Sequence, residues 1–382
     1  MLETKCVPEV SAAPPIKVAR YEALRPAQRR SVTRGERDAR RRMSTLAKAG
    51  RGAPVVVGDD GKQWWEQVTQ DLVQISTVPF VVLLMPQVVR NAINMASGNL
   101  TALSILSWMG FVTSLLGNTL LLSYFVSKGE RGAALIQAIG VASNIVMLAQ
   151  ICLAGYLQAS VFWTTATFTA VSCFFNSAYV MGALNAMAWG LWENFLGIIG
   201  LGVLVQVLWS TFGPVQSILP GVGAGSSALV LSILDRRGYL SSDLKDIWGG
   251  LSAWTATLLF GFQPVGQLVR NFMDPSSLQG LSMGTILLAM AGNGLMVPRA
   301  LRTRDKIWLT GTLWGSLLMG WAQLLSMHLG SFSTGLQYMR PVTFYLVSVI
   351  VAFYFAAVFT IDSRMAGLPS PWSSFLQTYR GR

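Results

Sequence analysis

The sequence predicts an all-α polytopic membrane protein of about ten transmembrane helices, six of them arranged as two parallel triple-helix repeats. Three observations carry this. Only 12% of the 382 residues are charged and 52% are hydrophobic, where a soluble domain carries about 25% charged residues. Charge-free stretches recur at bilayer-crossing length, which is about 20 apolar residues. A pattern of amide and small residues near 77–140 returns in the same order near 257–315. The composition excludes a soluble enzyme, a disulfide scaffold and a disordered chain. Cys6, Cys152 and Cys173 are too few and too scattered for a disulfide framework, and one histidine, His328, argues against a histidine metal site.

Residues 1–62 form a basic N-terminal segment with 14 Lys+Arg and 7 Asp+Glu. The segment is rich in Arg, Ser and Ala and has no apolar run, so it is not a secretory signal. Two readings stay open: an organellar transit peptide, against which the seven acids count, and a retained basic tail. Arg29-Arg30 and Arg40-Arg41-Arg42 would suit phosphates, but a membrane chain makes a nucleic-acid partner a poor fit.

The spans follow in order. Charge-free stretches run 72–89, 91–127, 132–192, 194–234, 247–269, 275–298, 307–339 and 341–361. The longer ones must turn, at Met95–Asn99, between Gly155 and Ser160, and at Gly213-Pro214. Ten spans result, near 72–93, 101–126, 133–156, 160–184, 192–212, 216–234, 250–271, 278–299, 308–330 and 341–361, with eight as the fallback count. The positive-inside rule supports ten. The side of the N-terminus then receives 12 basic residues from Lys128 to Arg382, and the other side only Arg90, Arg270 and Arg340.

The repeat is legible residue by residue. Thr77–Asn91 contains Pro86-Gln87 and Arg90-Asn91; Thr257–Asn271 contains Gln263-Pro264, Gln267 and Arg270-Asn271, 180 positions later. Gly117-Asn118 is answered by Gly292-Asn293, and Gly140 by Gly315, each 175 positions later. The chain therefore divides into a first triple-helix repeat at 72–156, connecting helices at 160–234, a second repeat at 250–330, a final span at 341–361 and a tail at 362–382. Three spans separate the triplets, so both run the same way through the membrane. Parallel repeats are an arrangement of secondary transporters, with substrate at the midplane between them.

A three-helix repeat whose first helix carries Pro86-Gln87 resembles the PQ-loop/SWEET superfamily, and the repeats are then SWEET-like. Over 76–306 the likeness narrows. Ser76-Thr77-Val78-Pro79-Phe80, Leu116-Gly117-Asn118, Leu191-Trp192-Glu193, Ser217-Ile218-Leu219-Pro220-Gly221, Met290–Met296 and Pro298-Arg299-Ala300-Leu301 resemble the maltose exporter family of the plastid inner envelope. That resemblance implies a multi-pass chloroplast inner-envelope carrier, made with a plastid transit peptide, that exports maltose from starch breakdown as a uniporter by alternating access. It implies maltose and membrane lipid as partners, no nucleic acid and no cofactor.

What the residues offer suits an uncharged solute. Every carboxylate outside the leader falls at a span end or in a loop. Intramembrane acids are the usual proton relays, so a uniporter is favoured, and no paired carboxylate supports an enzyme. The candidate substrate-binding residues are Asn118, Gln137, Asn144, Asn293, Thr312, Trp254, Trp314 and Gln267. Amides pair with sugar hydroxyls and aromatic faces with sugar C–H surfaces. The structural reading beside this is that buried amides join helices to one another. Gln137…Gly140 and Thr312…Gly315 occupy the positions where SWEET carriers place a pocket-lining Asn. Pro79, Pro86, Gln87 and Pro264 are candidate hinge elements, because proline removes a backbone donor and kinks a helix; a static kink is the alternative. A carrier of another sugar or of an amino acid, and a non-transporting accessory factor of lipid-linked sugar metabolism, stand as the other functional readings.

Overall fold

The computed structural model describes residues 59–380, apart from positions 105, 107, 214, 216, 276–277 and 279–280 and a few side chains, mostly within 261–270. Residues 1–58, and with them the transit-peptide expectation, lie outside the described residues. Among those described the chain is helical, with no strand. In order, the helices are α1 (Asp59–Ala96), the short α2 (Thr101–Ser104), α3 (Trp108–Lys128), α4 (Arg131–Leu153), α5 (Ala159–Val180), α6 (Ala186–Phe212) and α7 (Leu219–Arg236). Then come α8 (Ser242–Met273), α9 (Met283–Thr303), α10 (Lys306–Ser316), a π-helical turn (Leu317–Trp321), α11 (Ala322–Thr334), α12 (Pro341–Met365) and α13 (Pro371–Arg380).

Local chemistry sets the ends. Asp59 and Asp60 sit in the first turn of α1, where carboxylates meet the positive end of the helix dipole. The side chains of Asn185, Ser282 and Asp305 accept the backbone N–H groups that open α6, α9 and α10. The breaks expected near 95–99, 155–160 and 213–214 coincide with the ends of α1, α4 and α6. Pro79 and Pro86 both lie inside the unbroken α1.

Among the described residues six helices are long and apolar enough to cross a membrane: α1, α3, α4, α6, α9 and α12. The spans expected at 160–184, 216–234, 250–271 and 308–330 fall on α5, α7, α8 and the α10–α11 run, which are not among the six.

Contacts are richest between α1 and α9, between α3 and α4, and between α6 and α7, followed by α9 with α10; α1 also lies against α4, and α3 against α8. One core joins α3, α4, α9 and α10 through Leu115, Phe125, Ile136, Leu148, Val297, Leu301 and Leu309. Phe125 meets Trp308 edge-on, with ring centroids 4.9 Å apart. A second core sets α6 against α3 and α8 through Leu120, Trp192, Leu196 and Ala256. A third gathers Leu278, Ile286, Leu324, Met327 and Phe344. Outside these cores large apolar side chains face outward, Val78, Ile93, Phe174 and Phe353 among them. Water would penalise such a surface, whereas lipid tails solvate it while the helices satisfy their own backbone groups.

Candidate functional site

Residues that the sequence pairs at a spacing of 175 make matching contacts. Asn118 on α3 fits a notch at Gly140 on α4, and Asn293 on α9 fits one at Gly315 on α10; a Cβ at either glycine would collide with the asparagine amide. Asn118 Nδ2 donates to the Ser114 carbonyl at 2.7 Å, and Asn293 Nδ2 to the Ala289 carbonyl at 2.8 Å. Asn144 Nδ2 donates to the Gly140 carbonyl at 2.7 Å and to Ser114 Oγ at 3.2 Å. The nitrogens of all three amides are therefore committed to carbonyls of their own helices, and the Asn144–Ser114 bond also crosses from α4 to α3.

A second matched pair joins α1 to α9 and α3 to α8. The Phe80 ring on α1 fills the space at Gly292 on α9, and the Phe260 ring on α8 fills the space at Gly117 on α3. A Cβ at Gly117 would lie 3.0 Å from Phe260 Cε2, and one at Gly292 would lie 2.9 Å from Phe80 Cε2. Neighbours this close must shift to admit even a methyl group.

The Gln of the Pro-Gln motif enters a buried chain of amides. Gln87 Nε2 donates to Asn91 Oδ1 at 2.8 Å, Asn91 Nδ2 to Gln150 Oε1 at 3.0 Å and to Met147 Sδ at 3.5 Å, and Gln150 Nε2 to the Val88 carbonyl at 3.0 Å. This ties α1 to α4. Asn271, the counterpart of Asn91, donates to Gln323 Oε1 at 2.7 Å and Ser326 Oγ at 2.9 Å, tying α8 to α11.

The third-helix pair is unequal. Thr312 is buried, and its hydroxyl donates to the Trp308 carbonyl of its own helix at 3.0 Å. Gln137 is only 8% exposed, yet its amide makes no hydrogen bond among the described residues. Neither of its polar atoms is sealed from solvent, so the amide can exchange water for a polar ligand. Trp254 and Trp314 are half-buried. The side chains of Gln267 and Pro264 lie outside the described residues.

Sequence reasoning treated the charges as markers of topology and left out what they do to one another. At one end of the helices they meet. Arg299, 9% exposed, presents Nε and Nη2 to the two oxygens of Glu130 at 3.0 and 2.8 Å, and Nη1 to Glu66. Arg302 Nε reaches the other Glu66 oxygen at 3.0 Å. Tyr124 Oη donates to Asp305 Oδ2 at 2.7 Å, while Asp305 Oδ1 caps α10. Arg299 stands 175 positions after Tyr124, and Asp305 stands 175 after Glu130. Thus the end of α3 reaches the residue that opens α10, and the end of α9 reaches the residue that opens α4. One of these bridges is a two-pronged ion pair and the other a hydroxyl–carboxylate bond. The repeat spacing was the signal that could have paired them.

The family described as the maltose excess protein 1 N-terminal domain matches residues 59–185. A rice protein (Oryza sativa subsp. japonica), "Maltose excess protein 1-like, chloroplastic", is 42% identical over 305 residues, covering 79% of this chain and 76% of the relative. The Arabidopsis thaliana protein "Maltose excess protein 1, chloroplastic" is 43% identical over 269 residues, covering 70% of this chain and 65% of the relative. No solved structure matches. With that identity sustained over most of both chains, and with apolar helices of membrane length beneath it, this chain belongs to the maltose excess protein 1 family.

Proposed function

We propose that this chain is a facilitative maltose carrier of the chloroplast inner envelope, exporting maltose from starch breakdown by alternating access. In this reading ten helices cross the membrane, two SWEET-like triplets surround a pseudo-twofold axis along the membrane normal, and the basic N-terminal segment is a transit peptide. Both named relatives are chloroplastic maltose excess proteins, which supports the compartment and the sugar.

The observation that carries the site is the unpaired, mostly buried amide of Gln137. A maltose hydroxyl that replaces water by this amide gains about 0.5–1.5 kcal/mol per bond, or roughly 2- to 13-fold in affinity. Asn144 lies two helical turns along the same face of α4. The Phe80–Gly292 and Phe260–Gly117 contacts are the surfaces on which the triplets would rock. The Tyr124–Asp305 and Arg299–Glu130 bridges would close the path on the charged side. They must separate for sugar to leave there.

Labelled-maltose counterflow in liposomes tests this reading. Saturable exchange that needs no ion gradient supports a uniporter. A protein that binds and moves no maltose would favour the accessory-factor reading and overturn the proposal.

A further inference from the structure

The junction between α9 and α10 carries an unusual backbone. Arg304 has φ 57° and ψ 36°, the one non-glycine residue with positive φ among those described. Its counterpart 175 positions earlier is Gly129, with φ 72°. Glycine takes that conformation freely, whereas a side chain is strained there and persists only where its surroundings hold it.

The surroundings are the two C-terminal helices, which lie outside both triplets. Arg304 Nη1 donates to Asp362 Oδ2 on α12 at 2.7 Å and to Ser374 Oγ on α13 at 3.2 Å. Asp362 is 1% exposed. It also accepts the Ser374 hydroxyl, and the Trp65 indole N–H from α1 at 3.2 Å. Farther along, Tyr379 of α13 shares a hydrogen bond of 2.8 Å with Thr310 of α10. The buried carboxylate is thus fully engaged, and its countercharge is the strained residue itself. Next to Arg304 stands Asp305, the acceptor for Tyr124. The Gly129 junction has nothing within 4 Å of where a Cβ would point, and its neighbour Glu130 faces Arg299 without any such brace.

We infer that α12 and α13 clamp one half of the charged-side gate: Arg304 and Asp362 are positioning residues that hold Asp305 ready for Tyr124. Opening then proceeds at the Gly129–Glu130 junction, while the Arg304–Asp305 junction stays with the C-terminal helices. The inference rests on the carrier reading above.

The test is made on the full chain in liposomes, with Cys6, Cys152 and Cys173 changed to Ser and one cysteine placed at Ser127, half-buried on the α3 end beside Tyr124. Arg304→Gly keeps the backbone conformation and removes the clamp; Arg304→Lys keeps the charge. A membrane-impermeant maleimide then reports gate opening. Arg304→Gly should speed labelling on the order of tenfold, the factor that one charge-assisted hydrogen bond supplies, and Arg304→Lys should recover part of it. Labelling at the parent rate in a folded Arg304→Gly variant overturns the clamp. If that variant does not insert, the double variant S374A/Y379F removes the α13 bonds and leaves Asp362 in place; it too should label faster, and parent-rate labelling there overturns the clamp. The labelling reads the gate without maltose. A parent protein that moves no maltose therefore counts against the carrier reading, whichever way the labelling falls.

Discussion

Replacing Gln137 by Leu separates a binding role from a structural one, because the two predict opposite signs. Leucine has nearly the same length and no polar atoms. Gln137 is 8% exposed, and its amide is unpaired among the described residues with neither polar atom sealed from solvent. Replacing such a group by an apolar one relieves part of a desolvation penalty of about 1–3 kcal/mol, so Gln137→Leu should modestly raise the melting temperature of the sugar-free protein in detergent. If maltose uses both the amide oxygen and nitrogen, the variant forfeits two bonds of about 0.5–1.5 kcal/mol each. That is roughly 5- to 150-fold in affinity. Two measurements decide: thermal unfolding without sugar, and the half-saturating maltose concentration in counterflow. A more stable, weaker-binding variant bears out the site. A less stable variant with unchanged half-saturation would refute it, since the amide would then be making a bond that holds helices together.

Four other outcomes follow. Gly315→Ala should destabilise by about 1–3 kcal/mol through overpacking against Asn293, and Asn293→Ala in the same chain should restore much of the loss in a thermal melt. Arg299→Ala should cost about 3–5 kcal/mol, because it strands Glu130 at a mostly buried site; Arg302→Ala, whose ion pair is more than a third exposed on both sides, should cost about 0–1 kcal/mol. Maltose exchange should be nearly flat between about pH 6 and 8, since the carboxylates lie toward helix ends, Glu193 two turns into α6, and His328 is stacked on Phe344 at 4.4 Å; uphill uptake driven by a proton gradient would overturn it. Asn118→Ala should lower thermal stability by removing a plug from the Gly140 notch, and unchanged stability with weaker maltose binding would return this residue to the pocket.

What could be read from the sequence, and what could not, divides along physical lines. Helix ends were legible because charge and glycine punctuate them: α1, α4 and α6 stop at Ala96, Leu153 and Phe212, beside the turns expected there. Starts that carry polar residues were not. α8 begins at Ser242, ahead of its apolar run, because tertiary contact extends a helix beyond its greasy stretch; α6 begins at Ala186, capped by Asn185, six residues before the expected 192 and through residues that are themselves apolar. The amphipathic α13 is too short and polar for a span reading. In the candidate site, recurrence marked Asn118 and Asn293 but could not say that each plugs a glycine notch, since that depends on which helices touch. Gln137 and Thr312 hold the same position 175 apart, while only the packed fold distinguishes a spare amide from a hydroxyl already bonded to its own helix. The bridges of Arg299 and Tyr124 were hidden because charge counting assigns residues to a side of the membrane and is blind to partners.

The π-helical turn Leu317–Trp321 changes how the two halves of the chain are to be counted. Before it, counterparts differ by 175, as in Gly140 and Gly315; after it, the partners of Asn271, Gln323 and Ser326, lie 176 beyond Met147 and Gln150, the partners of Asn91. The wide turn absorbs one surplus residue and returns the helix to phase. Deleting a single residue from Leu317–Trp321 would convert it to regular helix without moving phase, whereas deleting one elsewhere in α11 would swing everything beyond it by about 100°. The turn is thus a tolerant place for length change within the α10–α11 run, which is otherwise intolerant of it.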